Sequence, residues 1–253
     1  MIYVKSVTQR IKEIKQPRGG FVNPKLFDEI MLGESDQLNE QENIHPSLVG
    51  LAVDYLTRYT LGANVKDAFR ISFLGARLIN AEFIADSLSS KIKGLDDKSI
   101  ISACKLVGFD VCFRASIAGY RPVEDIVPDQ ETIDNIRMMV NRSLKFFDKY
   151  GPITKDGFTF EGAYTNIVST GDGDFLTYDT LWDFKVSKSK PSSAHTLQLL
   201  MYYLMGKRSI HDEFEHILKI GVYNPRLNSI YLLDISDISD DIVNLVETEV
   251  IGY

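Results

Sequence analysis

Apolar residues recur at helical spacing through most of the first 150 positions and alternate with period two after Gly151. The helical pattern fills Pro46 to Tyr150 as SLVGLAVDYLTRYTL, VKDAFRISFLGARLINAEFIADSLSSKI, KSIISACKLVGFDVCFRASI and DQETIDNIRMMVNRSLKFFDKY, with Gly62, Gly94 and Gly151 at helix ends. A short helix is predicted over Ser6 to Gln16, and PRGGFVNP (17–24) ends it with two prolines and two glycines. Residues 33–45, GESDQLNEQENIH, read as a polar, acidic loop. Past Gly151 strands are expected near 158–168, 173–178, 181–187, 216–223 and 228–234, with one helix at 193–206 and a closing one at 238–250. The pattern predicts an α+β protein in which a mainly helical region, 1–150, packs on an α/β core, 151–253, as one compact body.

With 253 residues and 44% hydrophobic content, the chain has enough apolar material for a packed core. The start, MIYVKSVTQRIKEIKQ, has no apolar run of signal-peptide length, and no stretch approaches the roughly 18 apolar residues of a membrane span. A cytoplasmic protein without a membrane partner is therefore expected. Cys104 and Cys112 have no CxxC partner, which favours core thiols over a disulfide, zinc or iron-sulfur site. The formal charge of −7 argues against indiscriminate binding to nucleic acid. Distribution qualifies this: residues 1–25 carry Lys5, Arg10, Lys12, Lys15, Arg18 and Lys25 against Glu13 alone, a net of +5 that leaves −12 for the rest. Either a basic arm on an acidic body or a solvated amphipathic helix satisfies that pattern.

The chemistry concentrates in GDGDFLTYDTLWDFKVSK, residues 171–188, where charges interrupt two short apolar runs. If 173–178 and 181–186 pair as antiparallel strands joined at Asp179-Thr180, Tyr178 faces Leu181, Leu176 faces Asp183 and Asp174 faces Lys185. Period-two alternation then brings Asp174, Asp183 and Lys185 out on one face and Phe175, Trp182, Phe184 and Val186 on the other. A loop of odd length would separate the two acids. Converging carboxylates raise each other's pKa unless a cation neutralises them. All-oxygen ligation suits Mg²⁺ or Mn²⁺, which bind through one or two carboxylates plus waters and substrate phosphate. In the following helix, PSSAHTLQLLMYYLMG, Gln198 and Tyr202 share one stripe with His195 a turn earlier, while Leu197, Leu200, Met201 and Leu204 face a core.

These residues resemble the PD-(D/E)XK nuclease superfamily, and within it the RecB-like branch. The resemblance lies in Gly171-Asp172-Gly173-Asp174, then Asp183-Phe184-Lys185, then Gln198-x-x-x-Tyr202, and covers residues 171–202 only. It implies a restriction-endonuclease-like mixed sheet flanked by helices, with a large N-terminal helical elaboration. It also implies that Asp174, Asp183 and the Phe184 carbonyl hold Mg²⁺ or Mn²⁺, that Lys185 positions or activates the attacking water, and that Gln198 and Tyr202 support them. The branch adds an acid or histidine from an early helix, for which Asp54 in GLAVDYLTR stands, although Asp54 and Arg58 equally read as an i,i+4 pair. Glu161 is the next candidate for an extra acid, and Asp172 competes with Asp174. Nucleases of this kind with an iron-sulfur cluster need four cysteines, and this chain has two.

Lys188, Lys190, Lys207 and Arg208 flank the hairpin and helix and suit phosphate contacts, and Arg58 is a further candidate. Arg70 and Arg77 lie on one helix face and read as a groove lining or a solvated face. His211, Asp212 and His216 in HDEFEH diverge too far to be read as a metal site. The tail, DISDISDDIVNLVETEVIGY, reads as an acidic closing helix. The expectation is a Mg²⁺- or Mn²⁺-dependent nuclease acting on DNA. The rival is an inactive module of the same fold that binds nucleic acid or a protein. Oligomeric state is left open.

Overall fold

The computed structural model describes residues 5–33 and 37–253; the first four residues and residues 34–36 of the acidic loop lie outside the described residues. The protein is a mixed α+β chain in two units, one formed by the described residues up to Gly33 together with Phe146–Tyr253, the other by the described residues of Glu34–Lys145. The boundary expected at residue 150 is thus corrected: residues 5–33 belong with the sheet. The physical reason is pairing. Strand β1 (Lys5–Ser6) pairs in parallel with a later strand, and helix α1 (Val7–Glu13) buries Val7 and Ile11 in the core of the sheet unit. Strand β2 (Asp28–Met31) also pairs into the main sheet, although its four residues carry no periodic signal of their own.

The helical unit contains α2 (Pro46–Thr60), α3 (Val65–Ala68), α4 (Arg70–Leu78), α5 (Glu82–Ser89), α6 (Asp97–Leu106), α7 (Asp110–Arg114) and most of α8 (Gln130–Tyr150). The run at 65–92 is three helices, and Asn80, with φ of 58°, lies in the turn between the last two. The run at 98–117 breaks around a buried polar cluster. The Tyr55 hydroxyl donates to Asp110 Oδ2 at 2.7 Å, the Ser72 hydroxyl to Asp110 Oδ1 at 2.5 Å, and Arg114 Nε to Asp110 Oδ2 at 3.2 Å. Burial pushes the Asp110 carboxyl upward, and these bonds oppose it.

The sheet unit adds β3 (Lys155–Phe158), β4 (Val168–Thr170), β5 (Gly173–Leu176), β6 (Thr180–Phe184), α9 (Ser193–Arg208), β7 (Lys219–Asn224), β8 (Ser229–Asp234) and α10 (Asp240–Leu245), the last running on as a π-helical turn, Val246–Ile251. The single strand expected over 158–168 is two strands in different sheets. The main open sheet has the order β2-β8-β7-β6-β5-β3, and β4 pairs with β1. All main-sheet neighbours are antiparallel except β6 and β7, which α9 connects as a parallel crossover.

Alternation assigns the two faces. Leu176, Leu181, Ile220, Val222 and Leu233 pack with Leu197, Leu200, Met201 and Leu204 of α9. Phe175, Trp182, Tyr223 and Ile230 form the other core with Phe146 from the last turn of α8. There Phe146 stacks on Tyr223 at 4.0 Å between centroids and meets Trp182 edge-on at 5.0 Å. Among the described residues no helix is long and apolar enough to cross a membrane. Phe146 is fully buried, so Phe146→Ala is expected to cost about 3–5 kcal/mol of stability in denaturant titration.

Candidate functional site

The β5–β6 hairpin pairs Leu176 with Leu181 and Phe175 with Trp182. The expected register is therefore corrected by two residues: the turn is centred on Tyr178-Asp179, and the Thr177 N–H donates to the Thr180 carbonyl at 3.0 Å. Contacts from outside the hairpin set this turn. The Asp179 carbonyl accepts the N–H groups of Leu218 and Lys219 at 2.8 and 3.0 Å, and Lys219 Nζ donates to Asp179 Oδ2 at 3.0 Å. A shift of two leaves side-chain parity unchanged. Continued by one step, the observed register sets Asp174 directly opposite Asp183, and not opposite Lys185, on the face covered by α9.

The regular ladder ends at Phe175 and Trp182, and the Asp174 side chain takes over. Its Oδ2 accepts the Phe184 backbone N–H at 2.7 Å. In an extended strand a residue's N–H and C=O leave on the same side, so the Phe184 carbonyl points to the Asp174 side as well. On the other side of β5, the missing side chain of Gly173 leaves room for the Phe158 ring of β3, since a Cβ there would lie 2.2 Å from it. Asp172 precedes the strand and is exposed.

Asp183 is only 3% exposed. Its Oδ1 accepts a hydrogen bond from Lys185 Nζ at 2.7 Å, while its Oδ2 has no hydrogen-bond partner among the described residues. Burial alone would lower the Lys185 pKa, but the charges on Asp183 and Asp174 outweigh it and hold the amine well above its ordinary value. Lys185 is thus a charged donor.

Helix α9 brings Tyr202 and Gln198 to the same place. Gln198 Nε2 donates to the Tyr202 hydroxyl at 2.9 Å. Burial, with the negative charges of Asp174 and Asp183, pushes the Tyr202 phenol far up, against the Gln198 bond and the Lys185 charge, so it stays protonated. His195 accepts the Ser192 N–H on Nδ1 at 3.2 Å in the capping box that starts α9. Its pKa is lowered by burial and by the Lys185 charge.

Asp54 and Arg58 lie in the helical unit and form the i,i+4 pair at 2.8 Å. Glu161 is exposed, accepts from the Thr159 hydroxyl, and lies 3.4 Å from His211 Nε2. His216 stacks on Tyr178 at 5.9 Å, so the two histidines of HDEFEH have separate partners. Lys190 pairs with Glu29, Lys188 and Lys207 are exposed, and Arg208 pairs with Glu247 at 3.0 Å. Arg70 and Arg77 are exposed on α4. Cys104 and Cys112 are buried free thiols. Among the described residues no three or more His, Cys, Asp or Glu side chains are grouped to hold a metal ion. The Phe184 amide is the participant that sequence reasoning missed, since every strand residue carries one and only the local departure from the ladder selects it.

The lowered His195 pKa has a stability consequence. Below its ordinary value of about 6.5 the unfolded chain takes up a proton that the folded chain resists, so stability falls as pH drops through that range. His195→Gln should remove this contribution, giving a smaller loss of thermal midpoint than wild type between about pH 7.5 and 5.5. No family model, curated protein or solved structure matches this chain.

Proposed function

We propose that this chain is a metal-dependent nuclease of the PD-(D/E)XK kind with a restriction-endonuclease-like core, hydrolysing phosphodiester bonds of DNA. The observation that carries the reading is the convergence of Asp174, Asp183 and Lys185 at the end of the β5–β6 ladder, with Tyr202 and Gln198 of α9 beside them. The donor set suits a hard divalent cation. Two carboxylates and the Phe184 carbonyl offer oxygen, and Asp183 Oδ2 is buried without a hydrogen bond. Two protein carboxylates are a usual complement for Mg²⁺, which keeps several waters. Asp174, Asp183 and the Phe184 carbonyl would hold Mg²⁺ or Mn²⁺, which would supply Lewis acidity and positive charge.

The chain's own residues do the rest. Lys185, fixed by Asp183, donates a hydrogen bond to the attacking water or to a phosphate oxygen and so orients the two. Water attacks phosphorus and gives up a proton to solvent as the new P–O bond forms, the P–O bond to the leaving oxygen breaks, and solvent protonates that oxygen. Gln198 holds Tyr202, whose protonated phenol lies beside the acids as a neutral polar wall rather than a further negative charge.

The test is cleavage of single- and double-stranded DNA with Mn²⁺ by wild type, Lys185→Ala and Asp183→Asn, with circular dichroism confirming that each variant folds. Wild-type cleavage should fall by at least about a hundredfold in both variants. A folded wild type that binds DNA but cuts no substrate would replace this reading with that of a binding module.

A further inference from the structure

The basic residues near the start of the chain divide into two sets. Lys5 pairs with Glu13, and Arg10 donates from Nε to the Val250 carbonyl at 2.9 Å and from a terminal nitrogen to the Glu249 carbonyl at 2.5 Å. Both are spent on internal structure. Lys12, Lys15, Arg18 and Lys25 are exposed and make no ion pair among the described residues. Four unneutralised cations on one segment stand out in a chain of net charge −7.

This segment is anchored against α9. At Gly20, with φ of 89°, a Cβ would lie 2.5 Å from the Ser193 Cβ, so backbone and helix touch closely. The Thr196 hydroxyl donates to the Val22 carbonyl at 2.6 Å, and the Gln16 side chain accepts the Phe21 N–H at 3.4 Å. Ser193 and Thr196 flank His195, whose ring senses the Lys185 charge. The loop is thus fixed to the turn of α9 that borders the Asp174–Asp183–Lys185 cluster.

We infer that Lys12, Lys15, Arg18 and Lys25 form a nucleic-acid backbone contact surface, a second binding region beside the candidate site. The choice of occupant rests on the proposed phosphodiester chemistry and on charge complementarity: phosphate contacts come from Lys and Arg, and acids at the site itself repel the backbone. A lipid surface is a poor fit. An interfacial helix needs a free apolar face, and α1 has its Val7 and Ile11 buried in the core.

The experiment measures fluorescence anisotropy of a labelled DNA duplex in EDTA, across a salt series, so binding is read whether or not the protein cleaves. Lys12, Lys15, Arg18 and Lys25 are changed together to Gln; a control changes Lys91, Lys93, Lys98 and Lys145, equally exposed in the helical unit. The first variant should weaken binding and flatten the slope of log affinity against log salt by about 3 to 4, because each lost duplex phosphate contact removes roughly 0.9. The control should keep the wild-type slope. Equal flattening in both variants, or wild type that binds anionic phosphatidylserine vesicles and no DNA, overturns the inference. A wild type that cuts nothing in the Mn²⁺ assay, with the difference between the two variants intact, would sink the nuclease reading alone.

Discussion

A carboxylate buried on a central strand governs the organisation of the sheet unit. Asp183 sits under α9 with almost no exposure, where an uncompensated charge would be costly. Lys185 emerges on the same face two residues later and supplies the opposite charge at 2.7 Å. The charge of Asp174 acts on Lys185 as well, and its Oδ2 accepts the Phe184 amide where the hairpin ladder ends.

A strand that carries such a cluster needs firm support from its other face. Trp182, Phe175 and Tyr223 supply it together with Phe146, in a set of edge-on and stacked rings behind the charged residues. The Trp182 indole N–H donates to the Thr177 hydroxyl at 3.0 Å, tying the aromatic face to the hairpin turn. Above the acids, α9 contributes Leu197, Leu200, Met201 and Leu204 to the core and Gln198 and Tyr202 to the polar cluster. One helix thus closes the core and lines the site.

Much of this is legible along the chain. The parity of Asp174, Asp183 and Lys185 follows from period two and an even loop, and Phe175, Trp182 and Phe184 fall together on the opposite face as alternation requires. Helices α2 and α8 begin and end close to their predicted limits because each has a long periodic stripe, whereas α9 is buried on most of its sides and is marked instead by its length and the capping box at Ser192. The hairpin register is different. Asp179 is held by Leu218 and Lys219, some 40 positions away, and no local preference encodes that grip. Strand β2 and the division of 65–92 into three helices escape for related reasons: a four-residue edge strand gains its identity from β8, and the turn at Asn80 depends on a single positive φ.

The sequence by itself determined an α+β chain, which residues share a strand face or a helix stripe, and which side chains carry charge into apolar runs, since periodicity and residue type are properties of neighbouring positions. Only the tertiary structure decided which acid stands across from which, that the Phe184 amide is Asp174's partner, that residues 5–33 belong with the sheet, and where the unpaired basic residues are anchored. Those outcomes depend on contacts between distant segments, whose hydrogen bonds and close packing exist only once the chain has folded.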